Sequence, residues 1–573
     1  MSRLDDNLDN NNKSKENFLK KHANSIVFLL LLTVIVSIIT YWRILIQIDM
    51  GPVSDSFDFL SNALVFAGHS TGYSDLLRPP FFSFIISLIF RLGYISSSVI
   101  FYVDGGLFVF GVIGLFMLLM TRFHDLESFL GGLLYATFPI VLTNLGVGFS
   151  DLASVSFTIW TFYFLVLAVK KNSKFFILAF PFAMFAFLTR YNSALIIFPI
   201  FLYILINKDK VNFKNIIIGI TASFLIIIPI LIFNYERFGN IIYPFINFES
   251  NSSIVSVSSE LVSYIPNIFF FLENFPGYVG FQGSIIVLIV VIFVVLYLLL
   301  LFIRNHQDKI NLFEGLSLKN GLKNIKLIIF VVLVIIFLGS FGKIYYMINE
   351  LLFFAIVYLF YDLTKNISLK YLNLNIMFFA WFMAFFIFHS IFVIKDNRYL
   401  VLMAPPVAYF MIFGLVELSN RIKINLKSKN ITFPLLAIFL TTIIFLSTAS
   451  YLPLVQQTNN NQSVSNEDIK LASQWLTSYD INYKSKIIYA DSWPNFSWYL
   501  KTNINPMSVF KDNQSFYESI KDYNFNQQDN NAFNNYLITN NAYYYLSVRQ
   551  GLNLTFYTPI KQFGYVTIYK RNN

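Results

Sequence analysis

The residues best suited to chemistry begin in the stretch from Asp55 to Phe84. Read as a helix, Asp55, Asp58 and Asn62 fall at i, i+3 and i+7 and form one polar stripe, while Phe57, Leu60 and Leu64 form an apolar stripe at the same spacing. The helix is followed by Arg78-Pro79-Pro80, and further polar residues recur at the ends of apolar runs: Asp151, Arg190, Lys343, and the group His389, Lys395, Arg398 and Tyr399. Carboxylates take protons or ligate hard cations, and guanidinium and ammonium groups hold anions. Ionisable groups at membrane depth are expensive, so each needs a partner or a substrate. A plainer reading stands beside this one, in which the aspartates are solvated loop charges and Asp55 helps a helix N-terminus.

The elements that must position these residues follow from composition. The chain has 573 residues, 56% hydrophobic and 13% charged, too little polar material to surface a set of water-soluble domains. It reads as a polytopic α-helical membrane protein. Apolar runs of the length that crosses a bilayer, about 20 residues and fewer inside protein, fall near 24 to 42, 98 to 120, 128 to 147, 153 to 169, 175 to 188, 192 to 206, 215 to 233, 284 to 302, 327 to 341, 344 to 361, 375 to 393, 399 to 417 and 431 to 450. These thirteen spans leave a cytoplasmic tail over 1–23, a membrane domain over 24–451 with an outer loop at 43–97, and a segment over 452–573 outside. Pro79 to Leu92 is short and polar-flanked, and is assigned to a helix in or near the outer interface.

Charge tests this threading. With the N-terminus inside, the cytoplasmic segments hold 23 Lys and Arg, the outer loops hold 8, and the other 10 of the 41 follow residue 451. That asymmetry is the positive-inside pattern, and counting Pro79 to Leu92 as a crossing would invert every later loop. The basic residues thus report topology, and the net charge of +10 does not imply nucleic acid. The absence of cysteine excludes thiol catalysis, thiolate metal sites and disulfides. After residue 452, a helical pattern over Glu467 to Tyr479 and short β-rich runs at Lys486 to Ala490, Tyr543 to Val548 and Tyr565 to Tyr569 predict a small extracytoplasmic α/β domain.

The order Asp55-x-x-x-Phe59, Gly68, Arg78-Pro79-Pro80-Phe81, Phe149-Ser150-Asp151, Leu188-Thr189-Arg190-Tyr191 and Arg398-Tyr399-Leu400 with Pro405-Pro406 resembles the GT-C integral-membrane glycosyltransferases. Within them it is most similar to the group of protein O-mannosyltransferases and lipid A aminoarabinose transferases. The resemblance runs from about residue 25 to 410, and Trp475 to Leu500 looks like the outer domain that many of these carry. It implies transfer of a single sugar, mannose by default, from a polyprenyl or dolichyl phosphate to an acceptor outside the membrane, with inversion. The acceptor would be a protein, glycolipid or glycan of the cell envelope, and the setting a prokaryotic cell membrane.

The same resemblance implies Asp55 as the catalytic base, with Asp58 second, because the family often has its second acid directly after the first and here that place is Ser56. Arg190 and Arg398 lead the candidates for the donor phosphate, followed by Arg78, Lys343 and Lys395. For the cations the plain alternative is a snorkelling helix-end charge. Asp151, His389 and Tyr399 are candidates for orienting the acceptor or a metal. A divalent cation such as Mg or Mn stays open, since such sites want several carboxylates. A transporter or flippase would also have many spans, but the chain shows no clear internal repeat. A noncatalytic envelope scaffold would tolerate loss of the carboxylates.

Overall fold

The computed structural model describes residues 2–53, 55–70, 72, 77–246, 321–365, 370–392, 396–422, 424–426, 429–458, 460–511, 514–516 and 525–572. Apolar sequence becomes helix wherever backbone groups must be satisfied away from water. The helices are α1 (Ser2–Met50), α2 (Ser56–Phe66), α3 (Pro80–Arg91), α4 (Ser98–Leu119), α5 (Asp125–Thr137), α6 (Pro139–Asn144), α7 (Ser150–Lys170), α8 (Phe176–Thr189), α9 (Ile197–Ile206), α10 (Phe213–Phe238), α11 (Gly321–Ser340), α12 (Tyr346–Thr364), α13 (Leu372–Ile391), α14 (Ala404–Arg421), α15 (Thr432–Thr458), α16 (Asn460–Tyr479), α17 (Trp493–Leu500) and α18 (Gln527–Thr539).

Among the described residues, eight helices are long and apolar enough to cross a membrane, and each falls on one of the thirteen expected spans. The spans expected at 175 to 188, 192 to 206 and 327 to 341 appear as shorter apolar helices. The run 128 to 147 departs from expectation, because Phe138 takes an extended conformation before Pro139 and divides it into α5 and α6. Proline pushes its predecessor out of the helical region, and a single straight helix cannot form there. The expected span 284 to 302, and Lys395, lie outside the described residues.

The chain divides into two compact units. One comprises Met1–Tyr41, Gly106–Asn144 and Asp151–Tyr451. It is a helical body with a heavily aromatic core, in which Phe162 stacks on Trp381 with ring centroids 4.6 Å apart. Small residues let its helices close up: a Cβ on Gly111 of α4 would lie 2.2 Å from Ser156 Oγ of α7.

The other unit comprises Trp42–Gly105, Leu145–Ser150 and Leu452–Asn573, so the C-terminal segment is compact together with the first loop. In that loop α2 and α3 pack as a helical pair, with Phe59 edge-on to Phe82 at 5.3 Å and Ser83 Oγ donating to the Phe59 carbonyl at 3.0 Å. Pro80 opens α3, where its missing N–H costs no helical bond. Residues 56–64 of α2 are buried on every face, so its polar stripe does not face water as an interfacial helix would. Segments distant in sequence cover it.

The C-terminal part holds a five-stranded sheet in the order β4-β3-β7-β9-β8, formed by β3 (Ile488–Ala490), β4 (Asn505–Pro506), β7 (Tyr544–Ser547), β8 (Tyr557–Phe563) and β9 (Val566–Arg571); two short antiparallel ribbons pair β1 (Asn425–Leu426) with β2 (Lys429–Asn430) and β5 (Val509–Lys511) with β6 (Gln514–Phe516). Strand β3 runs parallel to β4 and β7, while β9 is antiparallel to β7 and β8. The expected α/β character, the helix ending at Tyr479 and the three β-rich runs all appear. At the end of β3, Asp491 pairs with Arg549 and accepts from Tyr545 Oη at 2.8 Å, Ser547 Oγ at 3.0 Å and the Val548 N–H at 2.9 Å. Burial pushes the Asp491 carboxyl up against the opposing pull of the guanidinium.

Candidate functional site

All the described sequence candidates except Lys343 fall into two clusters, one in each unit. The first is made by α2, the residue before it, and Arg78 just ahead of α3. Asp55 precedes α2, Asp58 lies in its first turn, and Arg78 stands two residues before α3. Arg78 Nη2 donates to Asp55 Oδ1 at 2.9 Å and to Asp58 Oδ2 at 3.0 Å, so one nitrogen joins two carboxylates. The side chains of Asp55 and Asp58 are 16% and 7% exposed, which places both carboxylates at reduced solvation. Pro79 in extended conformation and Pro80 at the start of α3 fix the backbone from which Arg78 reaches back.

Two charged residues of the same unit were not singled out as site candidates from sequence. Arg43 of α1 and Asp104 of α4 are both fully buried. Arg43 Nη2 donates to Gln47 Oε1 at 3.0 Å, and Asp104 Oδ2 accepts the Gly148 N–H at 3.2 Å. For Asp104, a charge inside the apolar run 98 to 120 was the available signal.

The second cluster gathers Asp151, Arg190, His389, Arg398 and Tyr399. Asp151 lies in the first turn of α7, where a carboxylate suits the exposed N–H groups. It pairs with Arg190 Nη1 at 2.6 Å. Arg190 occupies the extended break between α8 and a short 3₁₀ segment, Tyr191–Ile196. Arg398 stands in a second 3₁₀ segment, Asn397–Met403, where Asp396 Oδ1 accepts its N–H at 3.0 Å and Asp396 Oδ2 lies 3.1 Å from its Nε. Two Arg-Tyr pairs therefore each lie at or near the start of a short 3₁₀ segment leading into a helix.

Tyr399 links the members of this cluster. The Arg190 guanidinium lies 5.2 Å and that of Arg398 5.6 Å from its ring centroid. The His389 ring stacks on it at 4.6 Å with 19° between planes. His389 Nε2 meets Asn192 Nδ2 at 3.3 Å, so Asn192, not selected from sequence, joins the cluster. An aromatic ring within about 6 Å of a guanidinium attracts it through the ring quadrupole. Beside the cluster lies a cavity of about 230 Å³ with aromatic walls that include Phe187, Tyr191, Phe245, Tyr346 and Phe388, and with Asn192 among its lining residues.

Lys343 stands apart, exposed in the turn between α11 and α12. Glu350 of α12, not selected from sequence, is fully buried, and among the described residues neither of its carboxylate oxygens has a hydrogen-bond partner. Among the described residues no group of three or more His, Asp or Glu side chains is placed to hold a metal ion.

Residues 77–233 match the protein family described as dolichyl-phosphate-mannose-protein mannosyltransferase. Among solved structures, the chain is similar to ArnT from Cupriavidus metallidurans bound to undecaprenyl phosphate, with 12% identity, coverage of 94% of this chain and 97% of that one, and a TM-score of 0.54. For ArnT from the same organism in the apo state the identity is 11%, the coverage 94% and 97%, and the TM-score 0.51. The Archaeoglobus fulgidus oligosaccharyltransferase in complex with Zn and sulfate gives 13% identity, 89% and 67% coverage, and a TM-score of 0.47. No curated protein matches the chain in sequence.

Proposed function

Taking the chain as a GT-C integral-membrane glycosyltransferase that uses a lipid-linked sugar, we propose that it moves one sugar from a polyprenyl or dolichyl phosphate to an acceptor hydroxyl outside the membrane. The observation that carries this reading is the pair of poorly solvated carboxylates, Asp55 and Asp58, joined on Arg78. In the proposed reaction the acceptor oxygen attacks the anomeric carbon. Its proton passes to Asp55 as general base, the bond to the phosphate oxygen breaks, and the lipid phosphate leaves with the electron pair, inverting the anomeric centre.

The leaving phosphate gains negative charge, and fixed guanidinium groups stabilise such charge best because they need no reorganisation. Arg190 and Arg398, held in place by Asp151, Asp396 and the face of Tyr399, are proposed for that role. Arg78 is proposed to hold the base and its neighbour in register. The aromatic cavity suits part of an isoprenoid chain, which offers apolar surface and no polar group to satisfy. In ArnT, whose fold the chain shares, the bound molecule is undecaprenyl phosphate. Mannose on a monophosphate is the first donor to try, and a prokaryotic cell membrane with the N-terminus inside is the proposed setting.

The test uses membranes containing the full-length protein and undecaprenyl phosphate linked to radiolabelled mannose, with the glucose-linked and aminoarabinose-linked lipids as parallel donors. Asp55→Asn is expected to abolish transfer at unchanged protein abundance. Retained turnover in Asp55→Asn would move the base elsewhere, with Asp58→Asn as the next variant.

A further inference from the structure

We propose that the C-terminal α/β domain is a positioning element for the carboxylate helix, acting through α17 and residue Asn466; this rests on the reading of Asp55 as base. An eleven-residue helix such as α2 is marginal alone and takes its position from what packs on it. Three separate fastenings come from residues 466–503, and they grip the chain before Asp55, along α2, and after it.

Before Asp55, Asn466 Nδ2 donates to the Pro52 carbonyl at 2.8 Å, and Asn495 Nδ2 donates to Asn466 Oδ1 at 3.1 Å. Two amide side chains thus tie the entry to α2 to two helices of the domain. Along α2, Ser61 Oγ donates to the Pro494 carbonyl at 3.2 Å, and the Phe57 and Tyr499 rings lie 6.0 Å apart. The partner helix α3 is gripped as well, since Phe90 meets Trp498 at 6.1 Å. After α2, Gly72 lies against the backbone of Asn503 so closely that a Cβ would fall 2.2 Å from its nitrogen.

The domain can hold α2 because α17 has two working faces. Phe496 and Leu500, at i and i+4, are fully buried with Ile488, Leu546 and Ile568 of the sheet. Pro494 and Trp498 meet α2 and α3, and Tyr499, which also packs on the edge of that core, meets Phe57 of α2. The sheet therefore fixes α17, and α17 fixes the backbone that carries Asp55 and Asp58. Catalytic groups must be held within a fraction of an ångström, and a displacement near 1 Å can cost about a hundredfold in rate.

The test uses the full-length enzyme in detergent, with the same undecaprenyl-phosphate mannose donor. Two readouts are taken on Tyr499→Ala, Tyr499→Phe and Asn466→Ala: hydrogen exchange of the α2 peptide, and transfer kinetics per folded molecule. Asn466→Ala is expected to speed α2 exchange about tenfold, leave exchange in β3 and β7 unchanged, and lower kcat by about tenfold or more with donor KM within about twofold; Tyr499→Ala, whose ring also packs on the sheet core, is expected to have the same effect on α2 and on kcat. Tyr499→Phe keeps the ring and is expected to restore both. Asn466→Ala leaves the domain core intact, so it decides the matter should Tyr499→Ala fail to fold. Unchanged α2 exchange in a folded variant overturns the proposal, as does wild-type kcat with loosened α2. Turnover by Asp55→Asn removes the base assignment alone, because hydrogen exchange scores the positioning independently of chemistry.

Discussion

Arg190 presents two roles that a single substitution confuses. Its partner Asp151 has a side chain only 2% exposed, so Arg190→Ala leaves a buried carboxylate unpaired, a change that typically costs about 3–5 kcal/mol. Loss of activity in that variant alone would therefore not separate a donor-binding cation from a structural one. The double variant Arg190→Ala with Asp151→Ala removes both charges and is expected to regain most of the thermal stability in detergent. If Arg190 holds the donor phosphate, the double variant stays stable yet uses donor poorly, with KM raised about tenfold or more. Recovery of both stability and donor KM would reduce Arg190 to a partner for Asp151.

Helix packing in the membrane unit depends on close approach, and Gly111 with Ser156 is the contact that shows it. A methyl on Gly111 meets Ser156 Oγ at 2.2 Å and its Cα at 2.9 Å, so a rotamer change alone cannot relieve the clash. Gly111→Ala is expected to lower stability by about 1–3 kcal/mol. Adding Ser156→Gly returns part of it by vacating the volume, measured as thermal unfolding of the purified protein. The element scale also explains what could be read beforehand. The start of α3 was legible because Pro79 and Pro80 act locally, and the eight long spans were legible because hydropathy needs only neighbouring residues. The burial of α2 was not, since Ser61 is bonded to Pro494, 433 positions away. Arg78 was read as a cation for phosphate because sequence shows its charge but not its reach back to Asp55 and Asp58. Asp151 and Arg190 were chosen apart from the group of His389, Arg398 and Tyr399, and the meeting of Arg190, Arg398 and His389 at one tyrosine ring depends on tertiary packing that no local pattern encodes. Asn192 carried no signal, because an uncharged amide at a helix break is common.

The threading of the whole molecule turns on a count of crossings between two exposed lysines. Lys171 follows α7 and Lys343 precedes α12. The apolar helices described between them are Ser173–Thr189, Tyr191–Ile206, Phe213–Phe238 and Ile325–Ser340. If these four were the only crossings, their even number would leave both lysines on one face. The apolar run at 284 to 302, expected from sequence to cross, makes the number odd and places them on opposite faces. The charge asymmetry then assigns Lys171 to the cytoplasm, among the 23 basic residues expected there. The chain has no native cysteine, so single-cysteine variants report cleanly. Lys343→Cys is expected to react with a membrane-impermeant maleimide in intact cells, and Lys171→Cys only after permeabilisation. The opposite pattern reverses the orientation, and labelling of both without permeabilisation removes the crossing at 284 to 302 and returns the count to an even one.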